Sequence, residues 1–261
     1  DCFMYNNEDL ILEIRLNTLS QYVDKFVIVE AKHDHQGNVK KKYKFEVENF
    51  SKFKHKIEYW QISNFPEDIN NWERENFQRN FILNGLSEAN QEDYVIISDI
   101  DEIPNLEDVD LIVKSKKKYT AFKQKMIYYK LNLLNLTEKE WYGSRMCKLK
   151  HLKSPQWLRN KKVKLYPFYR FDKINWNIVN NGGWHFSNIM TPYDISEKIK
   201  SFAHSEFNTP EFTNIENIKE KIRLKKDLFG RKFEFEKIKQ EKNLPKYINE
   251  NQKKFSEFLL K

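Results

Sequence analysis

The stretch that most constrains the fold is VIISDIDEIP, residues 95–104, where an apolar run is followed at once by three acidic residues. Residues 94–97 are apolar and mostly β-branched, which is typical of a strand buried on both faces of a mostly parallel sheet. Pro104 and Asn105 then end the strand region. The segment therefore predicts an α/β fold in which negative charge follows the end of an inner strand.

The first two acidic residues form an Asp-x-Asp pair, Asp99 and Asp101. In open α/β sheets, ligands bind beyond the carboxyl ends of the strands, and residues two apart in an extended chain point the same way. Two such carboxylates repel each other unless a cation lies between them, and Mg²⁺ is commonly held by one or two carboxylates with phosphate oxygens and water. The pair predicts a metal site, although a solvated loop or a helix start produces the same pattern.

Strands and helices alternate through the first 105 residues. The periodicity predicts a helix with its N-cap at Asn6 or Asn7, a strand over 25–31, a strand over 55–62 and a helix over 71–89. Alternation at this spacing is typical of βαβ units. We therefore expect a single Rossmann-like domain over 1–205, with its nucleotide-binding half at 1–105.

The remaining chain carries weaker signals. Residues 119–135 are aromatic-rich and favour extended structure, and 106–205 is expected to form the second half of the domain. Residues 206–261 are heavily charged, with Phe and Ile at helical spacing. They predict a helical C-terminal extension packed on the domain.

Composition limits the class of partner. The 261 residues include 20 Phe, which is enough for a core, and the formal net charge is +8. That charge suits an anionic partner such as nucleic acid, an acidic membrane surface or a phosphorylated small molecule. The chain has lysine runs at 40–44 and 114–118. No RNA-reading signature accompanies them, so we expect no nucleic-acid partner.

The two cysteines, Cys2 and Cys147, are too few for a disulfide scaffold, which favours a reducing compartment. No apolar stretch approaches 18 residues, so the sequence predicts no transmembrane helix. We expect a cytoplasmic protein that contacts the anionic inner face of a membrane peripherally.

A second motif is GGWHFS, residues 182–187. Paired glycines permit positive φ and a close backbone approach, Trp184 offers a stacking face, and His185 is a candidate ligand for metal or phosphate. A lone histidine is more often packed or exposed without a function. The neighbouring glycines favour the functional interpretation.

Several motifs in order resemble glycosyltransferase family 17, which includes the bisecting β-1,4-N-acetylglucosaminyltransferases of N-glycan synthesis. They are DCFMYNNEDLILEIRLNTL, DKFVIVEA, ERENFQRN, SDIDEIP, and GGWHFS followed by KIKSFAH. The resemblance spans about residues 1–204, with a weaker match at 244–248, and it implies that 106–205 is the acceptor-side half of the domain. It implies a GT-A fold, a UDP-sugar donor carrying N-acetylglucosamine, a glycan acceptor, Mn²⁺ or Mg²⁺ at the Asp-x-Asp, and inversion at the anomeric carbon.

The resemblance also implies roles for individual residues. The expected metal ligands are Asp99, Asp101 and His185. The residues expected to bind the donor are Glu30, Arg74, Arg79, Asp99, Trp184 and His185. An inverting transfer needs a carboxylate base, for which Asp194 is the first candidate and Asp172 and Glu197 are the alternatives.

The chain departs from the animal members of the family, because it lacks their cysteine-containing context and a visible membrane anchor. This favours a bacterial-type or virus-type enzyme that decorates a surface glycan. Two other functions stay open. One is a metal-dependent phosphohydrolase with Asp99 as nucleophile, although Glu102 and Ile103 replace the Gly-Thr usual in such enzymes. The other is a basic nucleic-acid-binding protein.

Overall fold

A computed structural model describes residues 1–138, 140–167, 169–170, 172–239 and 243–260. The strands are β1 (Cys2–Met4), β2 (Phe26–Ala31), β3 (Ile57–Ile62), β4 (Tyr94–Ile97), β5 (Glu102–Pro104), β6 (Tyr119–Tyr128), β7 (Leu133–Asn135), β8 (Trp141–Lys148), β9 (Trp176–Val179), β10 (Gly183–Ser187) and β11 (Phe235–Lys237). The α-helices are α1 (Asp9–Leu19), α2 (Asn71–Asn80), α3 (Val109–Val113), α4 (Pro155–Asn160), α5 (Pro192–Ser201), α6 (Pro210–Thr213), α7 (Ile215–Arg223) and α8 (Lys246–Glu250). Short 3₁₀ helices cover Val47–Lys56, Phe81–Leu86, Leu149–His151, Ser205–Phe207 and Ser256–Phe258.

The first four strands form the parallel part of the sheet, in the order β3-β2-β1-β4. All residues of β2 are buried, as an apolar strand covered on both faces should be. The predicted α/β fold with a central sheet is confirmed. The carboxyl ends of β1, β2 and β4 therefore meet at one edge of the sheet, where ligands bind in such folds.

The second part of the sheet is mixed. Strand β8 lies antiparallel between β4 and β6, and the ten-residue β6 pairs with β9 through its first half and with β10 through its second half. Strand β5 runs antiparallel to β10, with His185 opposite Glu102 and Trp184 opposite Ile103. This register brings the GGWHFS motif beside the Asp-x-Asp segment.

The paired glycines behave as the sequence predicts. Gly183 has φ +114°, and a Cβ atom there would lie 2.2 Å from the carbonyl oxygen of Ile103. A Cβ atom on Gly182 would lie 2.4 Å from the backbone nitrogen of Lys123. Only glycine lets β10 approach both β5 and β6 this closely.

Two predicted helix boundaries are wrong. The helix after β3 ends at Asn80 and continues as a tighter 3₁₀ turn to Leu86. A Cβ atom on Gly85 would lie 2.4 Å from Val27 Cγ1, so the tighter turn brings bare backbone against the sheet. Helix α1 begins after Glu8 because Asn7 has φ +80°, outside the helical region.

The C-terminal residues complete the fold. Ile248 and Phe255 are fully buried in the core that also contains Ile14 of α1. Strand β11 pairs with β7 at the end of the sheet, so the predicted helical region also contributes a strand. Among the described residues, no helix is long and apolar enough to cross a membrane.

Candidate active site

A buried arginine fixes the backbone of the Asp-x-Asp segment. Arg15 is fully buried on α1, and its Nη1 donates to the carbonyl oxygens of Asp99, Ile100 and Glu102 at 3.1, 3.0 and 2.9 Å. Its other nitrogens donate to both carboxylate oxygens of Asp1 at 2.7 and 2.8 Å. Burial lowers the pKa of Arg15 to about 9, and Glu102 opposes that shift. Three carbonyls on one guanidinium set the turn from which the acidic side chains project.

Glu102 belongs to the scaffold of the site. Its carboxylate is fully buried and accepts from Trp141 Nε1 at 2.6 Å, from the backbone nitrogen of Asp99 at 2.8 Å and from Arg159 Nη1 at 2.8 Å. A buried charge must be paired and hydrogen-bonded, and these donors meet that need. Glu102 therefore fixes Trp141, Arg159 and the turn in one arrangement.

Asp99 lies between two arginines. Arg79 Nη2 donates to Oδ1 at 3.0 Å, and Arg159 Nη2 donates to Oδ2 at 2.8 Å. Burial raises the pKa of Asp99, but the two guanidinium groups outweigh it and hold the pKa well below its usual range. Asp99 is therefore ionised at neutral pH, and one lone pair of each oxygen is committed to an arginine.

Asp101 faces a histidine and a lysine. His185 Nε2 lies 3.6 Å from Oδ1, and Lys198 Nζ lies 3.6 Å from Oδ2. Burial raises the pKa of Asp101, but Lys198 and His185 reverse the shift, so the net pKa is lowered. Burial likewise opposes charge on His185, yet Asp101 raises its pKa overall. The histidine ring packs 5.2 Å from the Trp141 ring, which fixes its orientation.

These groups open into a cavity of about 680 Å³ at the carboxyl ends of the parallel strands. That volume is in the range of small-molecule sites. Its lining includes Tyr5 after β1, His33 after β2, Asp101 after β4 and His185 on β10. Its lining also includes the aromatic side chains of Phe202, Phe207 and Phe229. The cavity thus combines charged groups with aromatic surface.

The sequence model of glycosyltransferase family 17 matches residues 1–261. The chain belongs to glycosyltransferase family 17. Comparisons with curated proteins and with solved structures gave no significant match.

In this family 17 glycosyltransferase, four of the residues expected from the sequence come together. Arg79, Asp99, Asp101 and His185 all line the cavity. The strand-end position of the Asp-x-Asp and the β5–β10 pairing account for this grouping.

Three expected donor contacts lie elsewhere. Glu30 is fully buried and accepts from Lys40 Nζ at 2.8 Å and from Tyr59 Oη at 2.9 Å, so it fixes the loop after β2. Arg74 donates to the carbonyl oxygen of His35 at 3.2 Å, outside the cavity lining. Trp184 packs in the core and donates to the carbonyl oxygen of Asn243 at 2.7 Å. Neighbouring residues of a strand face opposite sides, so Trp184 points away when His185 faces the cavity.

The three carboxylates expected as bases are also outside the described cavity lining. Asp172 is paired with Arg170 at 2.7 Å on the surface, and Glu197 is paired with Lys200 at 2.8 Å. Asp194 accepts from Thr191 Oγ1 at 2.6 Å at the start of α5. Asp194 therefore serves the helix N-terminus and not the cavity.

The sequence interpretation missed four residues of the site: Arg15, Trp141, Arg159 and Lys198. Arg15 interrupts the apolar face of α1, and an arginine at a core position is a detectable signal. Trp141 and Arg159 lie 39 and 57 residues from their partner Glu102, with no local pattern to connect them. Lys198 lies in the KIKSFAH motif, on the face of α5 that also carries Ile195 and Ile199.

Proposed function

We propose that this chain is a GT-A-type inverting enzyme that transfers N-acetylglucosamine from a UDP-sugar to a glycan hydroxyl, with a bound divalent cation. The observation that carries the proposal is Asp101 at the end of β4, facing His185 and Lys198 inside the cavity. Family membership supports sugar transfer, and the resemblance to the bisecting enzymes supports N-acetylglucosamine as the sugar.

The candidate cation site comprises Asp99, Asp101 and His185. Among the described residues, no group of three or more His, Cys, Asp and Glu side chains is arranged to hold a metal. Asp101 and His185 nevertheless offer an oxygen and a nitrogen 3.6 Å apart. Mg²⁺ is commonly held by one or two carboxylates and completes its shell with water and phosphate oxygens. The residues fit a cation of that kind, held by Asp101 and His185, with Asp99 beside them.

When bound, such a cation would neutralise charge on the diphosphate without proton transfer. The protein's own residues prepare the site for this donor. Arg15 fixes the turn, and Glu102 fixes Trp141, which in turn packs against His185. Polar groups held in place before binding stabilise developing charge without reorganisation in the transition state.

The transfer also needs a base on the acceptor side. In the reaction, the acceptor oxygen bonds to the anomeric carbon while the bond from that carbon to the β-phosphate oxygen breaks. The electron pair stays on the diphosphate, and the acceptor proton moves to a carboxylate. Among the described residues, the cavity-lining carboxylates outside the Asp-x-Asp segment are Glu8, Asp34, Glu75 and Glu138. We infer that the base is one of these four.

The two alternative functions receive less support. A phosphohydrolase would need Asp99 as a free nucleophile, but both of its oxygens accept from arginines. The positive charge of the chain suits a nucleotide-sugar as well as a nucleic acid. A cavity of about 680 Å³ is of the size that suits the smaller ligand.

A thermal-shift panel tests the function. We expect UDP and UDP-N-acetylglucosamine to raise the melting temperature when Mn²⁺ or Mg²⁺ is present and not in EDTA, because a ligand that binds only the folded state stabilises it. The enzyme should also transfer the sugar slowly to water. NMR of that product should first show the anomer whose configuration is inverted relative to the donor. Equal shifts with GDP and CDP would contradict the UDP assignment, and the retained anomer would contradict inversion.

A further inference from the structure

Lys198 differs from the other cations of the cavity in what it bonds. The lysine and arginine side chains that line the described cavity are Lys40, Arg79, Lys198 and Arg231. Three of them donate to protein carboxylates at 2.7 to 3.0 Å. Lys198 Nζ instead lies 3.6 Å from Asp101 Oδ2, which is longer than a hydrogen bond. The three N–H donors of Lys198 are thus available to a ligand, whereas the other three side chains already donate to carboxylates.

The position of Lys198 is set by a well-anchored helix. Thr191 caps α5 by accepting from the backbone nitrogen of Asp194, and Ile195 and Ile199 are buried beneath the helix. Lys198 lies beside these residues on the helix and lines the cavity. The side chain keeps 29% of its surface exposed, and the ammonium can be reached from the cavity.

The carboxylates beside Lys198 leave its ammonium free for a second anion. Asp101 and Glu8 line the same cavity as Lys198, and Asp101 Oδ2 lies 3.6 Å from the ammonium. A lysine that lies near carboxylates without a short bond to Asp101 suits a residue that must bind a second anion.

We propose that Lys198 contacts the diphosphate of the donor and stabilises it as it leaves. This inference rests on the proposed function and assigns a residue to its chemical step. As the anomeric carbon–oxygen bond breaks, its electron pair passes to the β-phosphate oxygen, the acceptor oxygen bonds to the carbon, and the acceptor proton goes to the carboxylate base. The ammonium of Lys198 then faces an oxygen whose negative charge has increased, which is where a fixed cation lowers the barrier.

Calorimetry with uridine, UDP and inorganic pyrophosphate tests the contact at saturating Mn²⁺. The variant is Lys198→Met, and the matched control is Lys200→Met, on the same helix but exposed and paired with Glu197. We expect Lys198→Met to weaken UDP and pyrophosphate by about 10- to 100-fold, the usual effect of one hydrogen bond to a charged group. Uridine affinity should be unchanged, and Lys198→Arg should restore part of the UDP affinity.

Comparing the affinities for uridine, UDP and pyrophosphate distinguishes a direct contact of Lys198 with the diphosphate from a purely structural role. If Lys198 only neutralised Asp101 to maintain the fold, Lys198→Met would change uridine and UDP affinity alike and would lower the melting temperature. That result, or unchanged UDP affinity in Lys198→Met, would overturn the inference while leaving the proposed function intact. A parent protein that binds UDP no better than GDP or CDP would contradict the proposed function itself.

Discussion

His185 and Glu102 are directly opposite each other in the antiparallel pair β5–β10, so the histidine lies beside the turn that carries Asp101. Its Nε2 is 3.6 Å from Asp101 Oδ1. Two motifs about 80 residues apart in sequence thus form one site through a single strand pairing.

Arg15 should be the main structural support of the site. In Arg15→Met, three carbonyls and the Asp1 carboxylate lose their donor, and we expect unfolding free energy to fall by about 3–5 kcal/mol, as when one partner of a buried ion pair is removed. Urea unfolding measures the change. The control Arg223→Met removes an exposed pair with Glu220 and should cost less than about 1 kcal/mol. Equal stability of the two variants would show that Arg15 does not hold the turn.

Trp184 should matter for stability and not for the donor. Its ring is packed in the core, so Trp184→Ala should cost about 3–5 kcal/mol in urea unfolding. At a temperature where the variant stays folded, its UDP affinity with Mn²⁺ should match the parent, because the ring does not line the cavity. A large loss of UDP affinity in the folded variant would mean that Trp184 contacts the donor after all.

The catalytic base should be a cavity carboxylate. We expect Asp194→Asn, Asp172→Asn and Glu197→Gln to transfer sugar at close to the parental single-turnover rate, because these side chains are engaged outside the cavity. Of Glu8→Gln, Asp34→Asn, Glu75→Gln and Glu138→Gln, one should lower the rate by about 10²- to 10⁴-fold, the usual share of a general base. The same variant should keep UDP affinity. If Asp194→Asn were the one variant to lose the transfer rate, Asp194 would be the catalytic base.

Short sequence patterns were enough to predict one strand, the residues that follow it and one close approach between strands. The apolar run before Asp99 identified β4, and the position of Asp99 and Asp101 after it located the site. The glycines at 182 and 183 signalled a close approach that the structure confirms. In each case a short segment dictates its own conformation, so the sequence alone suffices.

Side-chain direction was harder to predict. Asp194 follows the GGWHFS motif closely, but the cap formed with Thr191 directs it to the helix terminus. Strand alternation could have excluded Trp184 once His185 was placed in the cavity. Arg159 reaches Asp99 and Glu102 from α4, a contact that depends on the packing of distant elements. Such pairings follow from tertiary structure and leave no local signal.

The role of Asp101 is tested most directly by a calorimetric titration of UDP into the parent and into Asp101→Asn, each with Mn²⁺ and with EDTA. Asp172→Asn is the matched control, because it removes the same charge from the surface. We expect Mn²⁺ to strengthen UDP binding to the parent and the control. In Asp101→Asn that increase should be lost, with circular dichroism unchanged. An Asp101→Asn variant that keeps the full Mn²⁺-dependent affinity would show that Asp101 does not hold the cation.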